Sequence, residues 1–384
     1  MDLTWWQIVL GALVGLIILI ILVIVHELGH AWTARRNDVE VEEFGVGFPP
    51  RAKILGKYKG TLITLNWLPL GGFCKLKGES DDAKGKGTYG AASFWAKTKI
   101  LFAGVFMNLV VAMLIFTVLA WTGLPKISAN QFVIENDNHG QNGVVAIAGV
   151  VENSPAEKAG LKTGDKITSI NNEKIEISAQ VSEITKERAG ETIAINLMRD
   201  GQSQNAVATL NSKDDSGKGY LGIQTMQDTY ANIRTTWSAP LVGIANTFQF
   251  VWMTLTGLVD LVANLTQGLA GLIVQNPNAT SEISAAGDSV AGPVGILGVI
   301  FPSAVMAGPT QLFFLMGVIS LTLTVMNILP IPGLDGGRWF LTAIYRMRGK
   351  KLTKEKEETI VGWGMMFLFG LIIVVTVADI WKLF

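Results

Sequence analysis

Hydrophobic positions cluster into four long blocks almost free of charge: Trp5–Val25, Ile100–Trp121, Leu312–Ile331 and Val361–Ala378. About 20 mostly apolar residues in a helix cross a hydrocarbon core of about 30 Å. The blocks therefore predict a polytopic α-helical membrane protein with about four transmembrane helices. The first block follows Met1-Asp2-Leu3-Thr4, has no basic residue before it, and lacks a small-residue cleavage site. It reads as a retained helix and not as a signal peptide. Elsewhere the pattern changes. Val39–Phe44, Lys53–Leu55, Thr61–Leu65 and Phe73–Leu76 alternate like strands, which predicts a membrane-associated β-hairpin or sheet. Residues 125–228 carry short alternating apolar runs punctuated by Asn, Gly and Asp, the pattern of a small β-rich domain with short helices. In 240–274 the only charge is Asp260, and Asn246, Gln249, Thr256, Asp260, Asn264 and Gln267 recur at helical steps. Amphipathic helices lying in the interface or lining a cavity are predicted over 236–308. Asn276–Asp288 reads as a polar loop.

Charge adds an orientation. Charged residues make up 16% of the chain, with 31 basic against 31 acidic, so nothing marks a nucleic-acid partner. Basic residues gather in two loops, Arg35 to Lys99 and Arg338 to Lys356. Such loops face the cytosol. The N-terminus, the segment 122–310 and the C-terminus then face outward. A further pair of crossings within 240–308 would leave that parity unchanged. The expected organisation is a first helix (1–34), a cytosolic loop with the β-hairpin (35–99), a second helix (100–122), the β-rich domain (125–228), amphipathic helices (236–308), a third helix (311–337), a basic loop (338–360) and a fourth helix (361–380). The single cysteine, Cys74, excludes an intrachain disulfide and a Cys-based zinc ribbon.

The chemistry concentrates at the end of the first block, in His26-Glu27-Leu28-Gly29-His30. Histidines four apart share one helix face, and neutral imidazoles at that spacing can hold one zinc. The intervening glutamate can reach a water on such a metal. Eighteen residues from Ile8 to Val25 rise about 27 Å, which puts His26 near the inner edge of the hydrocarbon. Ionisable groups at that depth are costly and usually functional. A catalytic zinc typically takes three protein ligands. The candidate third ligand is Asp335, in Asn327-Ile328-Leu329-Pro330-Ile331-Pro332-Gly333-Leu334-Asp335-Gly336-Gly337, where the prolines stop the third helix. Parity places it at the same cytosolic depth. Asn327, an amide within an apolar run, needs a partner: a substrate carbonyl or a neighbouring helix. The free edge of the cytosolic strands, Thr61, Leu62, Ile63, Thr64 and Leu65, is a candidate for adding an extended substrate as a further strand; a plug over the site is the compatible alternative. His139 reads as a surface residue.

In the outward domain, Ser154 caps a short helix that starts at Pro155 and ends at Gly160, followed by a Gly164-Asp165 turn. The pattern resembles a PDZ domain of the bacterial, circularly permuted kind. Tyr220, Leu221, Gly222 and Ile223 resemble the loop that holds a peptide C-terminus in such domains, or form a plain strand after a turn.

HELGH closing a first span, NILPIPGLDGG closing a third, and a PDZ domain between the second and third resemble the site-two protease family of intramembrane zinc metalloproteases, and within it the bacterial regulator-of-sigma-E protease branch. Phe44–Pro49, Leu68–Phe73, Ala103–Asn108 and Gly292–Ile296 also match it. The resemblance implies a zinc endopeptidase with His26, His30 and Asp335 as ligands and Glu27 as catalytic base. It implies single-pass membrane proteins as substrates, such as anti-sigma factors or signal-peptide remnants. It also implies residence in the bacterial cytoplasmic (inner) membrane, with the PDZ domain extracytoplasmic. The chain departs in showing one PDZ domain where some relatives carry two, in Gly333 where bulkier residues are common, and in Cys74 where an aliphatic is usual. Two other readings are a catalytically idle scaffold displaying the PDZ domain and a membrane-anchored peptidase of soluble peptides. The ligand set argues against the first and its depth against the second.

Overall fold

The computed structural model describes residues 3–213, 219–229, 231–273, 291–350 and 352–383; the expected polar loop Asn276–Asp288 lies outside them. The chain divides into two compact units, 1–115 with 247–384, and 116–246.

In the first unit, α1 (Trp5–Arg36) is one unbroken helix. It is followed by β1 (Val41–Tyr58), β2 (Thr61–Leu76) and α2 (Phe94–Thr122), whose last turns lie in the second unit. α1 carries small residues where other backbones come close. A Cβ on Gly29 would lie 2.5 Å from the Ala103 carbonyl of α2. Side chains on Gly11 and Gly15 would run into Pro302 and Phe301. Gaps left by glycine allow this close packing of apolar helices, where van der Waals contact is the main attraction. Ile18, Leu22 and Phe301 form the buried cluster at that contact.

The two strands form more than a hairpin. Phe44 pairs with Cys74 on one side and with Ile63 on the other; Ile63 pairs in turn with Gly56. Each strand bends and lies back on the pair, Gly47 and Gly71 taking positive φ near the bends. The result is four strand segments in the order 53–58, 61–65, 43–46, 72–76. This corrects one expectation: Thr61–Leu65 is an interior strand, its backbone paired on both sides, with Thr61 and Thr64 buried. Alternation in the sequence marks strands but does not say which becomes the edge. Among the described residues, Gly72–Leu76 pairs on one side only and is the edge next to α1.

Toward the C-terminus come α5 (Ala239–Ile273), of which 247–273 belong to this unit, α6 (Pro293–Ala307, with a widened turn at 296–300), α7 (Pro309–Ile328), α8 (Asp335–Met347) and α9 (Lys354–Leu383). Among the described residues five helices are long and apolar enough to cross a membrane: α1, α2, α5, α7 and α9. That is one more than the four blocks predict. The addition is α5, whose polar stripe interrupts its hydropathy but not its helix.

The second unit is built on a sheet ordered β8-β7-β5-β4-β9, with β6 (Glu173–Lys174) paired to β5. Its strands are β4 (Val144–Val150), β5 (Lys166–Ile170), β7 (Thr192–Arg199), β8 (Gln202–Thr209) and β9 (Ile223–Thr229). β3 (Leu124–Pro125) and β10 (Asn232–Ile233) form a separate pair. Val145, Ile167, Ile193, Ile195 and Leu221 lie in one core with Val181 and Ile184 of α4 (Ser178–Glu187). The short helix α3 (Pro155–Lys158) starts as predicted, Ser154 Oγ accepting from the Glu157 N–H at 3.2 Å. His139 is exposed, its side chain 61% accessible.

Asp165, at the turn into β5, is 1% exposed and accepts from Arg199 Nε and Nη2 at 2.6 Å and from the Lys162 N–H at 2.8 Å. Burial works against its charge, but the Arg199 bonds outweigh it and hold the carboxyl below its ordinary value. Asp165→Asn is expected to cost this unit about 1.5–3 kcal/mol, the range for hydrogen bonds to a charged group. A depressed carboxylate stabilises above its unfolded pKa of about 3.9 and loses that contribution as pH falls through the folded value. Hydrogen exchange of the Lys166–Ile170 amides, corrected for intrinsic rates, should lose protection below that pH in the wild type. In the Asn variant protection should be low throughout; equal protection at neutral pH would contradict the assignment.

Candidate metal centre

α1 turns its last polar face inward, and His26 and His30 are both 8% exposed. Their Nε2 atoms lie 3.1 Å apart. Asp335 Oδ2 is 3.0 Å from His26 Nε2 and 3.2 Å from His30 Nε2. Three donor atoms from positions 309 residues apart in the chain thus meet at one point. Glu27 belongs to the same cluster: it, His26 and His30 each offer a ligand atom within 4.8 Å of the others. A Cβ on Gly72 of the free-edge strand would lie 3.7 Å from Glu27 Cγ. The four residues proposed from the motifs are therefore neighbours.

Asp335 is placed by its glycines. It opens α8 directly after the turn at Ile331–Leu334. Side chains on Gly336 and Gly337 would collide with the carbonyls of Ile328 and Ile331, so the start of α8 lies flat against the end of α7. Arg338, one turn on, bonds Glu357 Oε1 at 2.9 Å and the Glu79 carbonyl, and stacks on Tyr89 at 4.9 Å. Nearby, buried Lys97 pairs with Asp81, whose N–H donates to Glu357 Oε2 at 3.3 Å. Trp339 Nε1 donates to Thr98 Oγ1 at 2.9 Å. These contacts fix α8 against α2, α9 and the 79–93 loop. Asp335 also borders a cleft of about 610 Å³ shared with Lys75, Glu79, Arg338 and Glu357.

The donor set suits a zinc ion. His30 Nδ1 is 2.8 Å from the Ile100 carbonyl. A carbonyl only accepts, so Nδ1 carries a proton, and in the neutral ring Nε2 keeps its lone pair toward the cluster. Two imidazole nitrogens and a carboxylate are the usual zinc donors. The space beside them is held open by α2: a Cβ on Gly104 would fall 2.6 Å from His30 Nε2 and 2.7 Å from His26 Nε2. Gly104 and Asn108 border the site from within an apolar run; the family resemblance marks their stretch, Ala103–Asn108, without giving either residue a role.

The remaining candidates lie elsewhere in their elements. Asn327 donates one N–H to Leu323 O, a turn back in its own helix, at 3.0 Å. Thr61 Oγ1 donates to Val41 O at 2.7 Å and Thr64 Oγ1 to Glu43 Oε1 at 2.7 Å, so both serve the sheet. In the second unit, Tyr220, Leu221, Gly222 and Ile223 border a groove of about 430 Å³ opposite Val181 and Thr185 of α4. The Tyr220, Leu221 and Gly222 carbonyls accept from the N–H groups of Asn211, Ala156 and Val151.

The model of peptidase family M50 matches residues 14–371 of this chain. The chain belongs to peptidase family M50. It is 29% identical over 373 residues to "Putative zinc metalloprotease FN1322" of Fusobacterium nucleatum, covering 97% of this chain and 99% of that protein. It is 31% identical over 362 residues to "Putative zinc metalloprotease CPE1693" of Clostridium perfringens, covering 94% and 95%. With "Zinc metalloprotease RasP" of Shouchella clausii it shares 25% identity over 444 residues, covering 95% and 97%. The PDZ domain of the SdrC-like protein of Listeria monocytogenes matches 22% of this chain and 90% of its own, at 25% identity and a TM-score of 0.20.

Proposed function

We propose that this protein is a zinc-dependent intramembrane endopeptidase that cuts the membrane-spanning segments of single-pass proteins. The observation that carries the reading is the meeting of His26, His30 and Asp335 at the end of an apolar helix, with Glu27 beside them. His26, His30 and Asp335 would hold the ion. Bound zinc supplies Lewis acidity that polarises a carbonyl and brings the pKa of water toward about 7. Glu27 takes the proton of the attacking water and returns it to the leaving amine. The second N–H of the Asn327 amide is a donor for the substrate carbonyl.

A helical substrate hides its carbonyls in its own hydrogen bonds, so it must be extended before it is cut. The single-sided strand 72–76 runs past Glu27 and is the place where an extended segment would add. This moves the substrate-binding role from the interior strand Thr61–Leu65 to the edge strand 72–76 of the same sheet.

The basic loops favour a cytosolic face for the site in a bacterial inner membrane. Contact between His26 and Asp335 brings the ends of α1 and α7 together, so both helices run in the same direction. α2 reverses the chain once, and the stretch between it and α7 must therefore cross an even number of times. Packing of Phe301 and Pro302 against the middle of α1 supports α6 as the return for α5. The PDZ-like unit would then stand outside and control which substrates enter.

One cleavage assay tests the reading. Full-length protein in detergent, with zinc counted per chain, is given a single-pass substrate bearing a photoreactive residue at the cut site and either a short or a bulky outward domain. Cleavage within the apolar segment, crosslinks to 72–76, and refusal of the bulky form are expected. A zinc-free wild type would sink the zinc-enzyme reading, and cuts confined to soluble loops the intramembrane one. Crosslinks to Thr61–Leu65 would sink the edge assignment, and equal cutting of both forms the gatekeeping role.

A further inference from the structure

We propose that Asn108 is a positioning residue for the metal centre: it accepts the Nδ1 proton of His26 and thereby aims the His26 Nε2 lone pair at the ion. The inference rests on the zinc reading of the site and adds a residue to it.

Asn108 is fully buried in α2, 0% exposed. Its amide faces His26 Nδ1 at 3.4 Å across the helix contact. Its Oδ1 has no hydrogen-bond partner, one of few such buried atoms among the described residues. With the amine end toward His26, the side chain would donate to Nδ1 and force the imidazole proton onto Nε2. That atom lies 3.0 Å from Asp335 Oδ2 and 3.1 Å from His30 Nε2, where a metal needs a lone pair. The two ends of an amide are nearly the same shape. Turned end for end, Oδ1 meets the Nδ1 proton in place of the amide N–H, and Nε2 is free to bind.

His30 already has this arrangement. Its Nδ1 donates to the Ile100 carbonyl, two turns before Asn108 in the same helix. One face of α2 therefore meets both histidines, with a backbone carbonyl at His30 and a side-chain amide at His26. Such partners fix the tautomer and ring direction of metal-bound histidines. Asn108 is itself held. Its backbone carbonyl accepts from Ser320 Oγ of α7 at 2.8 Å, so the amide is tied to the helix that leads to Asp335.

The test is a zinc titration of the full-length protein in detergent, stripped of metal and competed against a fluorescent chelator. Asn108→Leu keeps the volume and removes the acceptor. Asn108→Asp keeps an acceptor and, when ionised, cannot donate. The Leu variant is expected to bind zinc about 10–100-fold more weakly, the usual cost of losing such a partner. The Asp variant should hold or raise the affinity. A Leu variant that binds as the wild type overturns the proposal. So does an Asp variant as weak as Leu, because that is the result for an amide that donates. Where the Leu variant fails to fold, the Asp variant decides alone. A wild type that takes up no zinc removes the reading of the whole centre; a wild type that binds zinc indifferently to Asn108 removes only this residue.

Discussion

Glu27→Gln is expected to keep its zinc and to slow peptide cleavage by about 10²–10⁴-fold, the usual loss when a general base is removed. The prediction turns on how the cluster is shared out. His26, His30 and Asp335 converge within 3.0–3.2 Å of one another, which is enough donors for a catalytic site that leaves one position open. Glu27 stands beside that group, against Gly72 at the edge where substrate would lie. Glutamine has the shape of glutamate and accepts no proton at neutral pH, so binding and chemistry separate in this variant. Zinc per chain and turnover of a single-pass substrate are the two readouts. Turnover near that of the wild type would take the base role from Glu27, and loss of zinc would make it a ligand.

Gly104→Ala should have an effect of similar size by a different route. The added methyl would fall 2.6–2.7 Å from both Nε2 atoms, in the space the ion needs, since zinc sits about 2.0–2.1 Å from imidazole nitrogen. It cannot move aside, because it is fixed to the backbone of α2, and α2 is in backbone contact with α1 at Gly29. Zinc affinity is expected to fall by at least about 100-fold, at the upper end of losses for disturbed metal surroundings. Helix content should stay close to the wild type. Alanine at 104 with full zinc occupancy would show that the ion lies elsewhere.

The sequence made the donors legible and left their support obscure. His26, Glu27, His30 and Asp335 are chemically costly in apolar surroundings, so their presence there already asks for a purpose. Gly104 and Asn108 sit in a run that any apolar helix would tolerate, and their roles follow only from what α1 brings beside them. The sheet was half legible. Alternation identifies Thr61–Leu65 as a strand, but its interior position depends on the bends at Gly47 and Gly71, which a period of two does not encode. α5 was obscured for a related reason: Asn246, Gln249 and Asp260 lower its hydropathy without breaking its helix. The short helix after Ser154 was the easiest to read, because cap, proline and closing glycine are local signals.

The distance along the chain between the histidines and Asp335 has a consequence for biosynthesis. His26 and His30 leave the ribosome early, and their third partner follows 309 residues after His26. At about 5–20 residues per second the interval is tens of seconds, during which α1 and α2 are already made. Throughout that time the growing chain carries a histidine pair with no carboxylate to complete it. The 79–93 loop, made early, also waits for Arg338 and Glu357 to arrive and lock α8 in place. On the proposed reading, a half-made chain lacks its full ligand set, which is complete only once α8 has brought Asp335 to the histidines.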